Sequence, residues 1–128
     1  MANVLTILPN GARIGDRTKT IRYGVTLSGS YAQHTRGQNV GEVLDLNAAL
    51  NPGFQQDAKW GNKGPDLTYI INIGNGYNLQ IVPGADARHP VLVLYSSAGT
   101  EQAAATYASL GLNTDLDIII EATGRNCD

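Results

Sequence analysis

The stretch Thr68–Gly84, TYIINIGNGYNLQIVPG, decides the fold, because its glycines admit two readings. Gly74-Asn75-Gly76 has the spacing of a phosphate-cradling loop, yet it also suits the tip of a hairpin. A dinucleotide fingerprint needs Gly-x-Gly-x-x-Gly between a strand and a helix, with an acidic residue about 20 positions later. The third glycine position is Leu79, and Tyr77-Asn78-Leu79-Gln80-Ile81-Val82 alternates as a strand up to Pro83-Gly84. No helix N-terminus follows to meet a pyrophosphate. The nucleotide reading fails on pattern and on context.

Counting register sharpens the hairpin. A two-residue Asn75-Gly76 turn pairs Ile73 with Asn78 and Ile71 with Gln80, mixing apolar and amide side chains on one face. A three-residue loop, Gly74-Asn75-Gly76, pairs Ile73 with Tyr77, Ile71 with Leu79 and Tyr69 with Ile81, which makes one face wholly apolar. A one-residue slip flips a whole strand, so the second register is expected. Gly76 then suits the left-handed residue that closes such a loop. On this register the segment forms the centre of the core.

The rest of the chain carries the same period. Ile21, Tyr23, Val25 and Leu27 alternate with Thr20, Arg22 and Thr26, and Lys19 shares the apolar parity at the strand's start. Between Leu116 and Ala122 the even positions are apolar, and Asp117 and Glu121 face outward. Val91 to Tyr95 is apolar on both faces, as in a central strand. Val4–Leu8 and Glu42–Leu46 are shorter candidates. Leu46–Asn51 reads as one helical turn stopped before Pro52. Thr100–Gly111 is balanced between a short helix and an irregular loop. Residues 29–41 and 55–65 read as surface loops. Short strands, fifteen glycines and no βα alternation predict a single all-β domain, a β-sandwich or jelly roll. It divides into residues 1–15 as an extended N-terminal arm or first strand, 16–125 as the sandwich, and 126–128 as a tail.

Composition narrows the function. The 128 residues suffice for one core, and 42% hydrophobic with 16% charged residues is globular. No apolar run approaches the roughly 20 residues of a spanning helix, so no membrane partner is expected. MANVLTILPNGAR lacks a basic leader, so the chain is expected to act where it is made or within an assembly. A net charge of -2 with scattered Lys and Arg argues against direct nucleic-acid binding. Cys127 has no second cysteine to pair with, so no disulfide scaffold is expected.

Catalytic and metal chemistry find little support. His34 lies in a glycine-rich loop beside Thr35 and Arg36, and His89 precedes Pro90 at a turn. Two histidines and one cysteine fall short of a zinc set. Asp117 and Glu121, four apart on a strand, are separated by about 13 Å, too far for either glycosidase geometry. They read as solvated acids on an outer face. No catalytic residue, cofactor or metal is expected, and the chain is not read as an enzyme. Tyr31, Phe54 and Trp60 sit in polar or glycine-rich loops, either as contact residues or folded back over the sandwich ends.

In order along the chain stand KTIRYGVTLSGSY, a glycine-rich loop, GEVLDLNAALNPG, LTYIINIGNGYNLQIVPG, HPVLVLYSS, GTEQAAATYASLG and TDLDIIIEATGR. This layout, across roughly residues 10–125, resembles the small head decoration (cement) proteins of tailed bacteriophages. The resemblance implies a β-sandwich or jelly-roll module that forms homo-oligomers, trimers before dimers. It implies a place on the virion, outside the capsid lattice, after synthesis in the host cytoplasm. There it would bridge neighbouring major capsid protein subunits and stabilise the head, without catalytic residues. Val4, Leu5 and Ile7 would belong to an arm that pairs with a neighbour's sheet, or else to an ordinary first strand. Tyr31, His34 and Arg36 in one loop, and Phe54 and Trp60 in another, would complete the capsid or subunit contacts. The alternative is a carbohydrate-binding β-sandwich in which Trp60 and tyrosines stack on sugar rings.

Overall fold

A computed structural model describes residues 3–15, 17–51, 59–61, 64–72, 78–96, 99–107, 109 and 118–125, except for the side chains of residues 10 and 72. It is an all-β sandwich. The larger sheet is antiparallel and contains β1 (Asn3–Ile14), β2 (Thr18–Leu27), β9 (Ile118–Arg125) and β5 (Leu67–Asn72), in that order. The smaller sheet orders β4 (Glu42–Val43), β7 (Val91–Tyr95) and β6 (Asn78–Val82). A two-stranded pair, β3 (Ser30–Tyr31) with β8 (Ala105–Thr106), accompanies them.

Alternation builds the core as expected. Ile21, Tyr23, Val25 and Leu27 of β2 and Ile118, Ile120 and Ala122 of β9 are buried. They pack with Leu79, Leu92 and Leu94 of the smaller sheet, and Leu44, Leu46, Tyr31, Tyr107 and Trp60 join the same cluster. β7 is central in its sheet and buried on both faces, as its unbroken apolar run requires. Its second face, Val91 and Val93, packs with Val43. A 3₁₀ turn, Leu46–Ala48, starts at Asp45, whose carboxylate accepts the Asn47 amide.

The hairpin does not form. β5 pairs with β9, placing Ile70 opposite Ile120, and β6 pairs with β7, placing Leu79 opposite Leu94. The two strands pack together but belong to different sheets. Ile71 therefore does not pair with Leu79, nor Tyr69 with Ile81. Leu79 is buried as the register count required, but the apolar parity of β5 is reversed. Ile70 packs against the core, whereas Leu67 and Ile71 are exposed. The cause is non-local: β9 claims β5 in a register that sets Ile70 opposite buried Ile120 and Tyr69 opposite Glu121. The tip itself, with Ile73, Gly74, Asn75, Gly76 and Tyr77, lies outside the described residues.

β1 is a first strand rather than an arm. It pairs with β2 from Asn3 opposite Leu27 to Ile14 opposite Lys19. Pro9-Asn10-Gly11 does not end it, because residues 8–11 bulge out opposite Arg22 alone. A Cβ at Gly11 would lie 2.9 Å from the Leu8 carbonyl oxygen, so the bulge closes only around glycine. The outer edge of β1 is covered in part by Leu50, which exchanges backbone hydrogen bonds with Leu5 and Ile7 at 2.8 Å each. Thr100–Gly111 contains no helix among its described residues; it holds a bridge at Glu101 and the short β8.

Candidate functional site

The residues singled out from sequence do not converge on one surface. Leu5 and Ile7 are buried in the chain's own core, and Val4 alone of the three is exposed. Tyr31 and Trp60 are buried as well, so both fold back over the sandwich rather than face outward. Phe54 and Asp117 lie outside the described residues.

The loop of residues 32–41 is built on a carboxylate. Glu101 Oε2 accepts the Tyr31 hydroxyl at 2.6 Å and the His34 amide at 2.8 Å, and it lies 3.0 Å from His34 Nδ1. Burial works against the Glu101 charge, but the His34 and Tyr31 donors outweigh it and hold the carboxyl below its usual range. Burial, reinforced by Glu101, pushes the Tyr31 hydroxyl well above the ordinary tyrosine value. Tyr31 also accepts the Leu94 amide at 3.2 Å and meets the Tyr107 ring edge-on at 6.4 Å. Tyr107 in turn donates to buried Glu42, which also accepts the Asn3 amide group. Gly41 closes the loop with φ of 106°, where a Cβ would lie 2.9 Å from His34 Cα. Arg36 is thereby left exposed at the tip, on a base tied to Glu101 by the Tyr31 hydroxyl and the His34 amide.

A second polar cluster decorates the outer face of the larger sheet. Arg22 Nε donates to Glu121 Oε2 at 2.7 Å, and the Tyr69 hydroxyl donates to Glu121 Oε1. The Tyr69 donor first, and then Arg22, keep the Glu121 carboxyl below its usual range despite some burial. Beside them Thr20 and Thr123 share a hydroxyl hydrogen bond of 3.0 Å. Glu121 is therefore not the free, solvated acid expected of an outer face. A shallow depression of about 190 Å³, lined by Gly11, Arg13, Thr20, Arg22 and Glu121, lies over the bulge.

His89 sits between two carboxylates, with Nδ1 2.8 Å from Asp86 and Nε2 3.7 Å from Asp45. The bond from His89 keeps Asp86 below the usual aspartate range. Both histidines thus contact carboxylates, which orient their imidazole rings. Among the described residues, no group of three or more His, Cys, Asp and Glu could hold a metal ion.

Glu101 and Tyr69 escaped the sequence reading. Glu101 lies in an alanine-rich stretch with no periodic signal, and its partners come from the opposite end of the chain. Tyr69 falls on the inner face in the hairpin register, whereas its pairing opposite Glu121 turns it outward. Comparison of the chain with protein-family models, curated proteins and solved structures finds no match.

Proposed function

We propose that the chain is a structural protein that docks on the outside of a tailed-phage head and braces it by bridging major capsid protein subunits. One observation carries this reading. Five large apolar side chains are exposed among the described residues, and four of them follow the edge strands of the larger sheet: Val4 and Leu50 by β1, Leu67 and Ile71 on β5. Large aliphatic side chains exposed at both edges of a sheet suit contact with neighbouring subunits on either side. Three carboxylates of the fold, by contrast, are engaged in internal bonds: Glu42 with Tyr107 and Asn3, Glu101 with Tyr31 and His34, Glu121 with Arg22 and Tyr69.

The chain layout supports the same reading, as does a rigidly based loop that presents Arg36. Homo-oligomers, trimers before dimers, would raise effective concentration on a repeating lattice, so each contact can be weak. No direct nucleic-acid contact is part of the proposal. The site on the virion would be the capsid surface, reached after synthesis in the host cytoplasm. The carbohydrate alternative loses its main support, since Trp60 is buried and its indole N–H is given to Tyr23. Purified expanded heads test the proposal directly. Added protein should co-sediment with them and raise their heat resistance; failure of both would overturn it.

A further inference from the structure

A second surface lies on the open side of the sandwich, where β5 and β6 are the terminal strands of their sheets. Between the start of β5 and the end of β6 runs a groove of about 440 Å³, within the size range of binding clefts. Its floor is Leu67, Ile81 and Val82, and its walls include Pro65, Pro83 and Pro90, three of the chain's five prolines. Leu67 is 56% exposed, although it is a large aliphatic side chain. Among the described residues, the ionisable side chains lining the groove are Asp66 and Asp86. Asp66 is exposed and has no side-chain partner among the described residues.

Both walls are fixed before anything binds. On one side the Asp66 amide donates to the Thr123 carbonyl at 2.9 Å, and Gly124 lets Pro65 approach so closely that a Cβ would lie 3.0 Å from its Cα. On the other side Asn39 Oδ1 accepts the Ala85 amide at 2.8 Å. There Asp86 closes its turn by accepting the Arg88 amide at 2.9 Å and contacting the His89 ring. A Cβ at Gly84 would overlap the His89 carbonyl oxygen at 2.0 Å, so this wall is packed to its limit. A preformed groove loses little ordering entropy when a ligand arrives.

We propose that this groove docks an extended segment of a partner chain, with apolar side chains on the Leu67–Ile81–Val82 floor and a lysine or arginine against Asp66 and Asp86. Edge strands offer backbone groups to an extended segment, and alternate side chains supply selectivity. The apolar floor and the exposed Asp66 carboxylate select an apolar-and-basic sequence over an acidic or a wholly polar one. The groove shares Leu67 with the exposed edge of β5, but the inference does not rest on head binding, because its test reads peptide binding to the free chain.

Three capped hexapeptides test it against the ¹⁵N-labelled full chain: alternating Lys and Val, alternating Glu and Val, and alternating Lys and Ser. The Lys/Val peptide should shift the amides of Leu67, Thr68, Ile81 and Val82, with at least roughly tenfold weaker binding by the other two. Asp66→Lys should leave the spectrum otherwise intact and weaken the Lys/Val peptide by roughly fivefold or more. Four results would overturn the proposal: no shift at millimolar peptide, shifts centred elsewhere, equal binding of the Glu/Val or Lys/Ser peptide, or indifference to Asp66→Lys.

Discussion

Trp60 donates its indole N–H to the Tyr23 hydroxyl across 3.0 Å, and both side chains are buried in the core. The loop carrying Trp60 is thereby tied to the central face of the larger sheet. Asn47 completes the tie, accepting the Trp60 amide at 2.7 Å and donating to its carbonyl at 2.8 Å. Lys19 Nζ covers the ring at 4.8 Å from its centroid, which is why a lysine tolerates the apolar parity of β2.

Trp60→Ala should therefore destabilise the domain by about 3–5 kcal/mol, the cost of a large aromatic cavity. Trp60→Phe should cost less, yet still about 1–3 kcal/mol, because it leaves the Tyr23 hydroxyl without its donor. Asn47→Ala should fall in the same range as Trp60→Phe through its two lost backbone bonds. Urea midpoints of the three variants check the order; equal midpoints for Trp60→Ala and wild type would show that the tie holds nothing.

Acid should loosen the fold through Glu101 and Glu121. Both carboxyls are held below their ordinary values in the folded state. Groups of this sign contribute stability above the unfolded value of about 4.3 and lose it as pH falls through the folded value. Arg22 is 54% exposed, so solvent screens its share of the effect. Urea midpoints should stay level from pH 7 to 5 and decline below about 4.3. Glu101→Gln with Glu121→Gln should make that decline shallower, and an unchanged slope would remove these two carboxylates as its cause.

How far the sequence disclosed all this depended on whether a signal was local. β2 and β9 were legible because each keeps one face in the core and one near solvent, so alternation survives in the chain itself. β7 was legible for the opposite reason, being buried on both faces. The partner of β5 was not legible. Both parities of Leu67–Asn72 contain apolar residues, and the choice between them is made by β9, which lies far along the chain. The bulge of β1 was hidden behind Pro9-Asn10-Gly11, which imitates the end of a strand. The turn chemistry of Asp86–Arg88 was plain, but the groove it borders exists only once β5 and β6 come together.

Tyr107 ties the β3–β8 pair to the core through Glu42, a carboxylate only 2% exposed. Burial first, and then Glu42, pushes the Tyr107 hydroxyl far above its usual value. Burial likewise raises Tyr23 and Tyr31. Groups raised on folding keep their contribution below the unfolded value, about 10 for tyrosine, and lose it as pH rises toward the folded value. Stability should thus hold to about pH 10 and fall above it. Tyr107→Phe should cost about 1–3 kcal/mol at neutral pH, because Glu42 stays buried with one donor fewer. Circular dichroism melts at both pH values check this, and a neutral Tyr107→Phe would mean that water replaces the lost hydroxyl at Glu42.

The exposed residues beside β1 give the head-binding proposal its most direct genetic test. Val4 is 46% exposed and Leu50 57%, while their neighbours Leu5 and Ile7 are buried. Leu50 holds β1 through its backbone, so its side chain can change without breaking those bonds. Val4→Asp with Leu50→Asp should leave the melting temperature nearly unchanged, as surface substitutions usually alter stability by less than about 0.5 kcal/mol. The same pair should weaken co-sedimentation with expanded heads by roughly tenfold or more, since two apolar contacts would be replaced by desolvated charges. Leu5→Asp, one residue along the strand, should instead unfold the domain by burying an unpaired charge. Undiminished head binding by a folded Val4→Asp, Leu50→Asp protein would remove this edge from the contact surface.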